Sequence, residues 1–231
     1  MARKKVIKAK APKDKDRVPT YIPGFDKIIK GGFPKGSVIL ISGTCGSGKT
    51  IFSGQYIWNG AIRGEKGLYI STEERIEDLI RDFSEFGWDF GKNPKIKITF
   101  MTPLDIEKEI ATIEAIIEKE KIQRLVIDSI SLLGLYYKDE YEIRKKIYQL
   151  INSLKRKGVT AILTSEIVEG SNALSRYGVE EFVVDGVILL KYAGLGGEYD
   201  RSLEVKKMRR TAHSRDEFPF KIGNKGIVVK S

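Results

Sequence analysis

Gly43-Thr44-Cys45-Gly46-Ser47-Gly48-Lys49-Thr50 fits the spacing Gly-x-x-x-x-Gly-Lys-Ser/Thr of a phosphate-binding loop. The residues on either side supply the context that such a loop needs. Before it, Ser37-Val38-Ile39-Leu40-Ile41-Ser42 is an apolar, β-branched run that reads as a buried strand. After it comes a helix-compatible run through Arg63. An ordinary glycine-rich turn would not need that order of strand, turn and helix.

A triphosphate offers many acceptor oxygens and several negative charges. Gly43, Gly46 and Gly48 let successive backbone N–H groups turn inward without side chains in the way. A helix starting near Lys49 adds its free N–H groups and its positive dipole end. Lys49 is expected to reach the β- and γ-phosphates and the Thr50 hydroxyl to ligate Mg²⁺. Gly43 to Ile51 is therefore the candidate ATP site, with Thr44, Cys45 and Ser47 as loop members.

Farther out, strands and helices alternate. Leu68 to Ile70 is a strand closed by Ser71-Thr72-Glu73-Glu74, and Arg75 to Phe86 has helical apolar spacing. Lys95 to Phe100 alternates like a strand. Ile106, Ile110, Ile113 and Ile117 make one stripe of a helix over Asp105 to Lys121. Leu125 to Asp128 and Val159 to Ser165 are strands on either side of a helix over Glu140 to Lys157, which Gly158 ends. This pattern predicts an α/β domain with a mainly parallel sheet covered on both faces. From Val183 onward it changes. Val183 to Tyr192 and Ser202 to Met208 read as an antiparallel hairpin, and Phe218 to Ile222 and Ile227 to Val229 as edge strands.

The 231 residues suit one domain, placed at 17–231 after a basic, flexible tail at 1–16. The net charge is +10; seven of the cations and only two of the acids lie in that tail, which reads as solvated or as an arm for an acidic partner. No apolar run is long enough to span a bilayer, and no hydrophobic stretch follows the charged N-terminus, so a cytoplasmic setting without membrane contact is expected. The single cysteine, Cys45, excludes an internal disulfide and a cysteine-cluster metal site.

Asp128 ends an apolar strand, where a carboxylate would hold the Mg²⁺ water shell beside Thr50. Glu73 and Glu74 lie just past another strand, at the edge of the sheet where ligands bind. There a carboxylate can polarise an attacking water; the same pair would also favour the start of the next helix. Thr164, Ser165 and Glu166 end a further strand, where a hydroxyl such as that of Ser165 could bond the γ-phosphate or cap the turn. Lys207 and Arg209 are two apart on a predicted strand and so face one way. Two such cations suit a phosphate, although Lys206 to Arg210 is basic throughout and also reads as a solvated or nucleic-acid-facing patch.

Taken together, these residues resemble the KaiC-like branch of the RecA ATPase superfamily, in the form of an archaeal single-domain homologue. The match runs from Val18 to the end. It includes Tyr21-Ile22-Pro23-Gly24-Phe25-Asp26, the phosphate loop, Ser71-Thr72-Glu73-Glu74, Leu125-Val126-Ile127-Asp128-Ser129, Val179 to Val187, and Lys207-Met208-Arg209 with His213. The resemblance implies a RecA-like fold and a ring, expected to be a hexamer, with ATP at each interface. It also implies Glu73 and Glu74 as catalytic carboxylates, and Lys207 and Arg209 reaching the neighbour's γ-phosphate. The clock protein of this family has two tandem ATPase copies against one here. Its autophosphorylated Ser-Thr pair falls on Glu181 and Phe182, so autophosphorylation there is not expected.

A slow Mg²⁺-dependent ATPase is the first expectation. A recombinase-like DNA-binding ATPase is a second, with loops near Leu133 to Glu140 and Ile167 to Val179 on the DNA. A signalling module that uses ATP only to hold a ring is a third. A protein partner is also compatible with the chain.

Overall fold

The computed structural model describes residues 16–231 apart from 103, 195 and 198. The basic tail at 1–16 thus lies outside the described residues except for Asp16. The chain opens with β1 (Arg17–Val18), α1 (Phe25–Ile28) and β2 (Phe33–Pro34); β1 and β2 form a small antiparallel sheet. Then follow β3 (Val38–Gly43), α2 (Lys49–Ala61), β4 (Gly67–Ser71), α3 (Ile76–Ser84), β5 (Ile96–Phe100), α4 (Ile106–Glu120) and β6 (Arg124–Asp128). A 3-10 turn, Ile130–Leu132, leads to α5 (Leu133–Tyr136), α6 (Glu140–Lys157) and β7 (Thr160–Glu166). The chain ends with α7 (Glu180–Val183), β8 (Gly186–Tyr192), β9 (Arg201–Met208), β10 (Glu217–Gly223) and β11 (Gly226–Val229).

β3 to β11 make one nine-stranded sheet in the order β11-β10-β9-β8-β3-β7-β6-β4-β5. From β8 through β5 every pairing is parallel; from β8 to β11 every pairing is antiparallel. The fold class read from the sequence is therefore observed. The central strands are buried on both faces because their side chains alternate between two cores. Ile39, Ile41, Tyr69, Val126 and Ile162 join Phe52, Tyr56 and Ile57 of α2 and Phe83 of α3. Val38, Leu40, Leu68, Ile70, Leu125, Ile127 and Leu163 join Ile113 and Ile117 of α4 and Ile147, Leu150 and Leu154 of α6. Ile110, expected on the inward stripe of α4, is only partly buried at the edge of this core.

The helix caps account for several boundaries. Asp105 and Asp139 each accept an N–H three residues on and start α4 and α6. Gly158 in the left-handed region ends α6, as anticipated. The first helix is a single turn with Gly24, not a side chain, as its N-cap. The strand expected from Val183 begins only at Gly186, because Glu180 to Val183 coil into α7. Lys207 caps that turn, its Nζ donating to Glu181 O at 2.9 Å and Val184 O at 2.8 Å.

Candidate nucleotide site

Parallel register brings the sequence-distant candidates together. Gly43 pairs with Glu166, and Ser71 with Asp128, so the C-terminal ends of β3, β7, β4 and β6 lie on one edge. A cavity of about 350 Å³ opens there, lined by Cys45, Gly46, Gly48, Lys49, Thr50, Ile51, Ser71, Glu73, Glu74, Asp128, Ser129, Glu166, Arg201 and Ile222. Gly46 and Gly48 have φ of 72° and 98°, a region that side chains disfavour. Gly43 is needed for a different reason: a Cβ there would stand 2.4 Å from Leu190 O and 2.5 Å from Ser47 Oγ. α2 begins at Lys49 with no side-chain cap, leaving its first N–H groups to the cavity.

The ammonium of Lys49 donates to Gly43 O at 3.0 Å and Thr44 O at 2.9 Å. Among the described residues it forms no ion pair. Burial lowers its pKa, against the opposing pull of Glu166 and Asp128. A half-buried cation held only by carbonyl oxygens fits an anionic ligand.

Opposite it, Asp128 is held at both oxygens. Tyr69 OH donates to Oδ2 at 2.6 Å, and Thr164 Oγ1 donates to Oδ1. Ser129 Oγ donates to Glu73 Oε1, and Ser71 Oγ is tied to the Glu74 main chain. Partial desolvation raises the pKa of Glu74, and repulsion from Asp128, Asp82, Glu73 and Asp78 adds to it. The site thus brings cationic and N–H donors together with the carboxylates of Glu73, Glu74, Asp128 and Glu166. Thr50 and Asp128 offer oxygen ligands of the kind Mg²⁺ prefers. Among the described residues no group of three or more His, Cys, Asp or Glu could hold a metal ion by itself, so phosphate oxygens and water would have to complete the shell.

Other candidates are not brought to this cavity. Ser165 is fully buried, and its hydroxyl donates to Glu180 Oε1 at 3.1 Å, because alternation along β7 turns it away from Thr164. Ser47 is buried within the loop and donates to Thr44 O at 2.8 Å. Thr44, with Gly43, lines a neighbouring pocket on the other side of the loop, beside Ile167 and Leu190. Lys207 and Arg209 do not line the cavity of their own chain. Nor do they share a strand: β9 ends at Met208, and an irregularity opposite Val187 and Ile188 shifts the register. They rest instead on residues 181–185: the Lys207 ammonium on the Glu181 and Val184 carbonyls, and the Arg209 N–H on the Asp185 carbonyl at 2.8 Å.

The sequence pattern did not single out the roof of the site. Arg201 donates to Gly46 O at 3.1 Å and stacks over the Tyr192 ring at 4.4 Å, so the turn end of the β8–β9 hairpin rests on the loop. Ile222 of β10 would meet a Cβ on Gly48 at 3.3 Å. Tyr69 was equally invisible as a partner of Asp128. The alternation that placed Val126 and Ile162 inward was the available signal for it. On the DNA-binding expectation, Tyr177 of the loop after β7 is committed internally. Its hydroxyl donates to Ser131 O and accepts the Gly134 N–H at 2.7 Å.

This geometry can be set beside known proteins. The sequence profile of the KaiC ATPase family matches residues 18–231. The circadian clock oscillator protein KaiC of Prochlorococcus marinus subsp. pastoris is 40% identical over 227 residues, 92% of this chain and 45% of that protein. The Synechococcus elongatus KaiC is 37% identical over 224 residues, 91% of this chain and 43% of that one. The chain therefore spans less than half the length of these relatives. A crystal structure of a KaiC-like protein from the hyperthermophilic archaeon Pyrococcus horikoshii superposes with a TM-score of 0.85 at 42% identity, covering 93% of this chain and 99% of that one. No helix among the described residues is long and apolar enough to cross a membrane. With the phosphate loop in its strand–helix setting and the whole domain matched, the chain belongs to the KaiC family of ATPases.

Proposed function

We propose that the chain is a slow Mg²⁺-dependent ATPase working as a hexameric ring, with ATP between neighbouring copies. The observation that carries this is that Lys49, Thr50, Asp128, Glu73 and Glu74 line one cavity. The loop N–H groups and Lys49 bind the β- and γ-phosphates, the ammonium exchanging its two carbonyl partners for phosphate oxygens. Cys45, Gly46 and Ile51 shape the loop and its helix around the phosphates. Thr50 and Asp128 would hold a magnesium ion, which would supply charge neutralisation to the phosphates. Tyr69 and Thr164 keep the Asp128 carboxylate aimed at it.

Glu74, whose proton affinity is raised, takes the proton of the attacking water. Glu73, fixed by Ser129, orients that water. Lys207 and Arg209 serve the γ-phosphate held by the adjacent copy, consistent with their distance from the cavity of their own chain. An isolated copy would lack these two cations at its cavity and should turn over more slowly than the ring.

Native mass measured with and without Mg²⁺ and ATP tests the ring. Mixing tests the shared site. Arg209→Ala and the double variant Glu73→Gln/Glu74→Gln should each turn over poorly. A one-to-one mixture should regain activity at about a quarter of its sites, the share in which intact carboxylates face intact cations. No recovery on mixing would refute the shared site. Stimulation of phosphate release by single-stranded DNA would favour the recombinase-like alternative instead.

A further inference from the structure

Glu180 is fully buried, and nothing in the proposed chemistry uses it. Its carboxylate gathers donors from two sides. Oε1 accepts from Ser165 Oγ at 3.1 Å, and Oε2 accepts from Ser175 Oγ at 2.7 Å and Val179 N at 3.1 Å. The Tyr177 N–H lies 3.4 and 3.3 Å from the two oxygens. The Ser175 hydroxyl also reaches Glu181 Oε2, so one proton serves two carboxylates. Ser165 in turn accepts the Arg176 N–H at 3.0 Å. The carboxylate thus closes residues 175–180 into a knot and fastens it to β7, one residue before Glu166 at the nucleotide cavity.

The far side of the same short helix carries the two cations. Lys207 Nζ commits two of its protons to Glu181 O and Val184 O. Asp185, anchored by Val38 N at 3.1 Å and by Lys155 at 3.0 Å, receives the Arg209 main chain at 2.8 Å. The Arg209 guanidinium stands 3.9 Å from the Asp185 carboxylate. Residues 180–185 are therefore the bracket against which both cations rest, and Glu180 is its attachment to β7. Asp185 ties the far end of the bracket to Val38 of β3, and Glu180 ties the near end to β7, so the placement of the cations depends on that buried carboxylate being satisfied.

We propose that Glu180 is a positioning residue: it sets where Lys207 and Arg209 stand for the neighbour's γ-phosphate, and through Ser165 it couples that placement to the end of β7 at the chain's own cavity. The inference rests on the trans role of the two cations proposed above.

Glu180→Gln keeps the shape and removes the charge. The amide then presents its own N–H₂ to a pocket of donors. ATP affinity should stay within about twofold of wild type, and kcat should fall about tenfold, the scale expected of a small misplacement of reacting groups. The decisive reading is the mixture with Glu73→Gln/Glu74→Gln, whose cations and Glu180 are intact. Recovery to about a quarter of the sites places the defect in the cations that the variant donates. Wild-type turnover in Glu180→Gln would overturn the inference. So would a loss that the mixture fails to restore while the Arg209→Ala mixture recovers, because Glu180 would then act on its own site. If the Arg209→Ala mixture also fails, the trans reading falls and this inference falls with it. Should Glu180→Gln melt before assay, Ser175→Ala, which removes one donor and keeps the carboxylate, is judged by the same outcomes.

Discussion

Tyr69→Phe removes one oxygen atom from a fully buried ring and should weaken magnesium-dependent turnover much more than the fold. The ring packs edge-on against Phe83 at 5.5 Å and Phe90 at 6.2 Å, and a phenylalanine keeps both contacts. What is lost is the hydrogen bond to Asp128 Oδ2 at 2.6 Å. Burial, reinforced by Asp128, pushes the phenol pKa well above its ordinary range, so it is a donor at every working pH. A hydrogen bond to a charged acceptor contributes about 1.5–3 kcal/mol. Asp128 borders the cavity, so water can replace part of this, and a stability loss of about 1 kcal/mol is expected. In a chain of this size that lowers the melting temperature by about 2–4 °C. The carboxylate would keep only its Thr164 partner and lose its fixed aim. Loss of such an outer-shell partner weakens metal binding by about 10–100-fold. Magnesium titrations of phosphate release at saturating ATP read this directly, with thermal melts of the nucleotide-free protein as the control. A melting shift of the expected size with a magnesium dependence moved less than about threefold would refute the reasoning, leaving Tyr69 a packing residue.

Lys49→Ala should abolish ATP binding by calorimetry, because the half-buried ammonium is the main cation of the loop; unchanged affinity would remove the phosphate-loop assignment. Arg124→Ala should destabilise the fold by about 3–5 kcal/mol in urea melts, since it strands Glu65 and the carbonyls of Tyr56 and Pro19 that the fully buried guanidinium satisfies; a loss under about 1 kcal/mol would contradict this. Glu74→Gln should alter stability in a pH-dependent way. The folded pKa is raised, so the native state holds its proton at pH values where the unfolded chain has released it, and wild-type stability falls as pH rises through that window. The substitution should therefore favour the folded state more at pH 7 than at pH 4, and equal melting shifts at both would refute the assignment.

Much of the fold was legible because the deciding signals are local. The bounds of α6 follow from an uninterrupted apolar stripe between Asp139 and Gly158. The phosphate loop is a main-chain device, written in consecutive residues. α7 was not legible: four residues show no helical period, and the turn exists because Glu180 and Lys207, 27 positions apart, satisfy its two ends. Ser165 and Thr164 illustrate the same limit. Both hydroxyls end one strand, and only the pleat decides that Thr164 faces Asp128 while Ser165 faces Glu180.

A strand, a glycine-rich loop and a helix in succession were enough to predict the parallel sheet and the cavity at its edge, since neither needs a distant partner to be recognised. Folding settled which side chains share that edge. The Arg201 contact to Gly46 spans 155 positions and the Tyr69 contact to Asp128 spans 59. Such pairs follow from sheet register and pleat, properties of neighbouring strands that no single stretch of chain encodes.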